Sequence, residues 1–342
     1  MGKNVRIRLV ILSGLAVLLA ACGGSGVDTN SETTDAMGSA SDGLTGSIEV
    51  SGSSTVEPIT ALVQEQFGGA NPSVGISVEG PGTGDGFARF CAGETSVSDA
   101  SRPIKDSEAE TCVTAGIEYV ELQVAFDGLT VLTSPENDAI TCLDYNDLYA
   151  LLGSESEGFE TWADADALGA ELGASHVPYP DAPLVVTAPG EESGTFDTFV
   201  ELVIADIAEE RGADETTRAD YSPEANDNVI INNLSSNATS LGWVGYAFFA
   251  QNSDVVKAID VDGGQGCVSP SVDTIADGSY PLSRPLFIYV KTNDLGTDEA
   301  LVAFIDSYLS DEGIANVSQA GYVALPAEQL AATRSSWESV RP

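Results

Sequence analysis

The sequence predicts an α/β protein with mainly parallel sheets. Short strand-like runs recur, helix-period runs lie between them, and Gly/Ser/Thr clusters sit at the junctions. Residues 47–51 alternate as a strand. Gly52-Ser53-Ser54-Thr55 then turns into a helix, with Pro58 in its first turn and Ile59, Leu62, Val63 and Phe67 on one face. Val74, Ile76 and Val78 mark a second strand. A glycine-rich loop over 80–86 follows, then a short helical pattern through Phe87, Phe90 and Cys91. Residues 97–101 are again strand-like and end at Arg102-Pro103. A long apolar run over 124–133 is broken only by Asp127-Gly128. Leu184-Val185-Val186 precedes Gly190-Glu191-Glu192-Ser193-Gly194-Thr195, and Phe196, Phe199, Val200, Val203 and Ile207 share a helix face beyond it. Residues 241–249 read as a buried strand region, and 285–290 as a second long apolar run. Leu301, Phe304, Ile305 and Tyr308 mark a late amphipathic helix. No internal repeat is visible.

The 342 residues suit one or two compact domains. The charge is far from ordinary: 53 acids against 13 bases, a formal net charge of −40. Such a surface repels nucleic acid and anionic lipid, and keeps a protein soluble where salt screens its self-repulsion. A salty habitat would suit it.

The N-terminus reads as an export signal over 1–21. Lys3, Arg6 and Arg8 form a positive region, and 9–20 an apolar stretch shorter than the roughly 20 residues a transmembrane helix needs. It ends in Leu19-Ala20-Ala21-Cys22, which resembles a bacterial lipobox, so Cys22 is the expected lipidation site and first mature residue. Residues 22–45, rich in Gly, Ser, Thr and Asp, form a flexible tether. An exported chain keeps its thiols oxidised, so Cys91, Cys112, Cys142 and Cys267 imply two disulfides in one of three connectivities. No CxxC pair or Cys/His cluster suggests a metal. His176, the single histidine, lies in a proline-rich stretch and reads as a surface loop residue.

Three junctions share one design: a strand ends, a small hydroxyl-bearing loop follows, and a helix begins. They lie at Ser54-Thr55, at Thr83 and at Ser193-Gly194-Thr195. A helix N-terminus offers unpaired N–H groups and partial positive charge, small residues let an anion approach, and hydroxyls add donors. One such junction is ordinarily just a helix cap. Three in one chain suit a small oxyanion, which needs donors on all sides. In so acidic a protein the summed field opposes an anion, so local donors must hold it. A full cationic partner is wanted as well. Arg102 at a strand end is the candidate, since guanidinium donors match a tetrahedral oxyanion and the chain has only nine arginines.

Several segments together resemble the phosphate-binding proteins of Pst-type phosphate importers. They are Gly52-Ser53-Ser54-Thr55-Val56 with Pro58, Ala100-Ser101-Arg102-Pro103-Ile104, Val124-Ala125-Phe126-Asp127-Gly128-Leu129, Glu192-Ser193-Gly194-Thr195-Phe196-Asp197, Gly245-Tyr246-Ala247, and the stretch YPLSRPLFIYV over 280–290. The resemblance spans nearly everything after residue 46. It implies a two-lobed type II periplasmic binding protein fold, with two crossings near Asp127 and Pro285. Lobe I would comprise 46–126 and 284–342, and lobe II 127–283. On that map Cys91 pairs with Cys112 and Cys142 with Cys267, each bond within one lobe.

The resemblance further implies that inorganic phosphate is held by Ser54, Thr55, Thr83, Ser101, Arg102, Asp127, Ser193, Gly194 and Thr195, with no cofactor and no metal. Family members differ in their charged groups: some carry Asp where this chain has Arg102, and Arg where it has Pro189. Arg102 therefore takes the cationic role here. The acid that accepts the proton of phosphate is taken first as Asp127, ahead of Glu192 and Asp197. The implied partners are the permease subunits of an ABC importer, met by a lipid-anchored monomer outside the cell membrane, in the periplasm or at the cell surface. The rival readings are a binding protein for sulfate, molybdate or tungstate, or a secreted phosphatase. Against an enzyme, there is no G-x-S-x-G elbow, and His176 lacks a triad setting.

Overall fold

The computed structural model describes residues 43–342. The expected export signal, Cys22 and nearly all of the expected tether lie outside the described residues. No helix among the described residues is long and apolar enough to cross a membrane.

The chain opens as the alternation requires. Strand β1 (Gly46–Gly52) buries Ile48 and Val50 and exposes Ser47 and Glu49. Helix α1 (Glu57–Ala70) starts with proline in its first turn and buries Ile59, Val63 and Phe67, each four residues on from the last. Strand β2 (Val74–Glu79), helix α2 (Thr83–Cys91), strand β3 (Val97–Ala100) and helix α3 (Asp106–Ala115) follow. Strands β1, β2 and β3 pair in parallel, so three successive strand ends point the same way. Two glycines bring the helix of the second loop close. A Cβ on Gly52 would lie 2.0 Å from the Asp99 carbonyl oxygen, and one on Gly86 would lie 2.4 Å from the Gly52 Cα. No larger residue would let α2 approach the end of β1.

The 15-residue strand β4 (Tyr119–Thr133) is shared by two cores. Its Leu122, Val124 and Ala125 pack with Ile48, Ile59 and Phe304, whereas Leu129 and Val131 pack with Tyr149, Trp162 and Trp243. In the second core, strand β5 (Val185–Ala188) precedes helix α4 (Gly194–Phe199), a π-helical stretch Val200–Ile204 and a further helix Ala205–Arg211. Strand β6 (Ser240–Gly245) leads into helix α5 (Tyr246–Gln251). Strand β7 (Ser283–Lys291) returns antiparallel to β4, with Arg284 opposite Asp127 and Ser283 opposite Gly128. One sheet therefore runs β2-β1-β3-β7-β4-β6-β5 through both lobes. Pairing is parallel on the two flanks and antiparallel at the crossing, where β7 also meets β3 and β4 meets β6 in antiparallel register.

Some local readings change. The run over 241–249 is a strand only to Gly245; extended backbone there caps a helix whose aromatic side chains stay partly exposed. The helix after Thr195 is interrupted by its π stretch, so Phe196, Phe199 and Val203 are buried while Val200 and Ile207 are only partly so. His176 is half-buried and pairs through its Nδ1 with fully buried Asp147. Val323 and Leu325, late in the chain, pack into the second core because Val323 pairs with Phe126 at the crossing.

Both disulfides lie as the resemblance implies. Cys91–Cys112 joins α2 to α3, and Cys142–Cys267 joins two short strands of a separate three-stranded sheet.

Candidate functional site

The parallel strands end at a cavity of about 360 Å³. Its lining brings together Ser53, Ser54, Thr55, Gly82, Thr83, Gly84, Ser101 and Arg102 from the first lobe with Asp197 and Glu201 from the second. The first-lobe loops are cross-braced. The Ser53 N–H donates to the Asp99 carbonyl and the Gly82 N–H to the Gly52 carbonyl, at 2.9 and 2.8 Å. The Thr55 N–H donates to Ser53 Oγ, and Thr83 Oγ1 accepts from the Ser101 N–H while lying 3.0 Å from Ser101 Oγ.

The facing wall is α4 and the π stretch. Ser193 Oγ accepts from the Thr195 N–H, so this serine caps its own helix. A Cβ on Gly194 would lie 3.5 Å from the Ser54 carbonyl oxygen, so the two walls are close here. Ser54 Oγ donates to Asp197 Oδ2 across the cleft at 3.1 Å. Of the residues expected at the site, Ser54, Thr55, Thr83, Ser101 and Arg102 line the cavity, while Ser193, Gly194 and Thr195 begin the opposing helix.

The charged groups are arranged differently from expectation. Arg102 is on the cavity wall, but its two terminal nitrogens donate to Glu108 at 2.9 and 2.8 Å, and it lies over the Phe87 ring. The hydrogen bond to Glu108 raises its pKa, and the charges of Glu108 and Glu201 add to the effect. The second cation is Arg284, which pattern reading passed over. It is buried at the start of β7. Its Nη2 donates to Thr55 Oγ1 at 2.9 Å and Thr198 Oγ1 at 2.6 Å, its Nη1 to Glu201, and its Nε to Asp127 Oδ2 at 3.4 Å. One guanidinium thus joins a first-lobe donor loop, the crossing strand and the second-lobe helix.

Asp127 lies directly behind it and also accepts from Thr198 Oγ1. Burial raises its pKa, and Arg284 and Thr198 pull the other way. The carboxylates on the cavity wall are Asp197 and Glu201. Arg284 had one sequence signal: a lone basic residue opening the apolar run of YPLSRPLFIYV. Thr198 and Glu201 had none.

The chain resembles known proteins along most of its length. The PBP superfamily domain matches residues 31–312. SphX from Synechocystis sp. is 38% identical over 283 residues, covering 82% of this chain and 79% of its own. The phosphate-binding protein PstS of Staphylococcus epidermidis is 36% identical over 318 residues, covering 92% and 86%. The crystal structure of a possible phosphate binding protein from Planctomyces limnophilus superimposes with a TM-score of 0.79 at 35% identity, over 87% of this chain and 99% of that one. The chain belongs to the PBP superfamily, in the family that includes PstS and SphX.

Proposed function

We propose that this chain captures inorganic phosphate between its lobes and delivers it to the permease subunits of an ABC importer. The observation that carries this is a cavity lined by two hydroxyl-rich helix-start loops and Arg102, with the buried guanidinium of Arg284 bonded to two of its lining residues, Thr55 and Glu201. Ser54, Thr55, Thr83 and Ser101 offer hydroxyl and backbone donors, and Arg284 and Arg102 offer charge. Small oxyanions need this mixture, because partial helix charges alone are worth about 0.3–1 kcal/mol each. The names of the PstS and Planctomyces relatives support phosphate over other oxyanions.

Selectivity follows from Asp197. Phosphate near neutral pH keeps a proton and donates it to a wall carboxylate, whereas sulfate meets that carboxylate as a bare anion. Asp127 acts through Arg284, holding the guanidinium in place. Closure is by movement of lobe II (127–283) against lobe I (46–126 and 284–342), with both disulfides inside their lobes. The protein works as a monomer, anchored outside the cell membrane through acylated Cys22; mass spectrometry of the mature N-terminus checks the anchor.

Titration calorimetry tests the main reading. Phosphate should bind one to one, and sulfate about four orders of magnitude more weakly, the scale on which a site built to hydrogen-bond a ligand hydroxyl rejects an analogue that lacks it. Equal binding of the two would overturn the assignment.

A further inference from the structure

The second lobe presents a carboxylate to the guanidinium that an oxyanion would use. Glu201 accepts from Arg284 Nη1, lines the same cavity as Arg102, and adds to the negative field at Arg102. It stands in the π-helical stretch Val200–Ile204, one turn after Asp197, which accepts from Ser54. Such π turns are rare and shift the register of every side chain beyond them. Phe199 and Val203 are buried nearby, while Glu201 lines the cleft. Unlike Asp127, Glu201 is half-exposed, so it can leave Arg284 without leaving a charge stranded in the core.

We propose that Glu201 is a tethered competitor for the cleft's guanidiniums, yielding to a multiply charged tetrahedral oxyanion and refusing monovalent anions such as chloride. This rests on the reading of the cavity as a phosphate site and adds the group that sets its affinity. A tethered carboxylate acts at a high effective concentration, whatever the salt outside. A monovalent anion gains one charge contact at Arg284 and loses the one Glu201 already makes. A phosphate dianion gains Arg284 together with the hydroxyl and amide donors of Ser54, Thr55 and Thr83, and so displaces it. In a chain with a net charge of −40, where salt is needed to screen repulsion, such exclusion would keep the site from filling with chloride.

The test is Glu201→Gln, which keeps size and removes charge at a half-exposed position. Phosphate and chloride are titrated into wild type and variant by calorimetry, with circular dichroism to confirm folding. The variant should bind phosphate about ten- to hundredfold more tightly, the worth of a charge-assisted hydrogen bond released from competition. Its phosphate affinity should also fall with chloride at fixed ionic strength, using gluconate as the balancing anion, while that of the wild type should not. A folded variant that binds phosphate more weakly would show that Glu201 is a partner of the ligand and overturn the proposal. Unchanged affinity and chloride response would overturn it equally. Wild-type protein that binds no phosphate would remove the site assignment itself, an outcome visible before the variant is made.

Discussion

Arg284→Ala should weaken phosphate binding by about two to four orders of magnitude. The guanidinium is buried and reaches both lobes, through Thr55 on one side and Thr198 and Glu201 on the other. Truncating one partner of a buried charge-assisted pair costs about 2–5 kcal/mol, and about 1.4 kcal/mol is tenfold in affinity. The loss has a second source here. Without Arg284, the buried carboxyl of Asp127 faces the cleft uncompensated and repels the ligand. The paired variant Arg284→Ala/Asp127→Asn removes that repulsion and should recover part of the loss. It also keeps the test readable if the single variant folds poorly. Arg102→Ala should cost about one order of magnitude or less, because Glu108 already takes two of that guanidinium's donors. Calorimetry on the folded variants gives the ranking. A large loss in Arg102→Ala with little in Arg284→Ala would reverse the two roles.

Asp99→Asn should flatten the pH dependence of stability and stabilise the protein above neutrality. Asp99 is wholly buried in β3, and neither carboxyl oxygen has a hydrogen-bond partner. Burial pushes its pKa up from 3.8 to about 7; Thr60 opposes this and the charge of Glu57 adds to it. Thr60 offers little relief because its hydroxyl is engaged with that of Tyr308. The sign is that of an acid whose folded pKa lies above its unfolded one. Between the two values the folded state binds more protons, so stability falls as pH rises from about 4 through about 7. Above that window the cost approaches about 4 kcal/mol, taking about 1.4 kcal/mol per pKa unit. Asparagine is isosteric and cannot ionise. Urea unfolding at pH 5 and pH 8 should show wild type losing about 2–3 kcal/mol more than the variant. Parallel pH profiles would mean that Asp99 is ionised and satisfied in the folded protein. The residue also bears on the site, since its carbonyl accepts from the Ser53 N–H of the first donor loop.

The first lobe was legible because its signals are local. Ile48 and Val50 alternate, Pro58 opens α1, and Gly52 and Gly86 announce close backbone approach. The donor loops could be read for the same reason, since each is a strand end followed at once by a helix start. The crossing was harder. Arg284 and Asp127 are neighbours through antiparallel pairing of strands 157 residues apart in the chain, and nothing in either segment names the other. Arg102 had the opposite fault: its position at a strand end was plain, but Glu108, which occupies its donors, is bound at the start of α3, where it also accepts from the Lys105 N–H. The π stretch left no mark, because its residues are as compatible with an ordinary helix.

The most direct measurement is a crystal structure of the protein with phosphate bound. The account predicts one phosphate in the cavity between the lobes, within hydrogen-bond distance of Ser54, Thr55 and Thr83, with the Arg284 guanidinium on one side and the Glu201 carboxylate moved off it. Phosphate ordered elsewhere, or held in the cleft by Arg102 while Arg284 stays on Glu201, would contradict it.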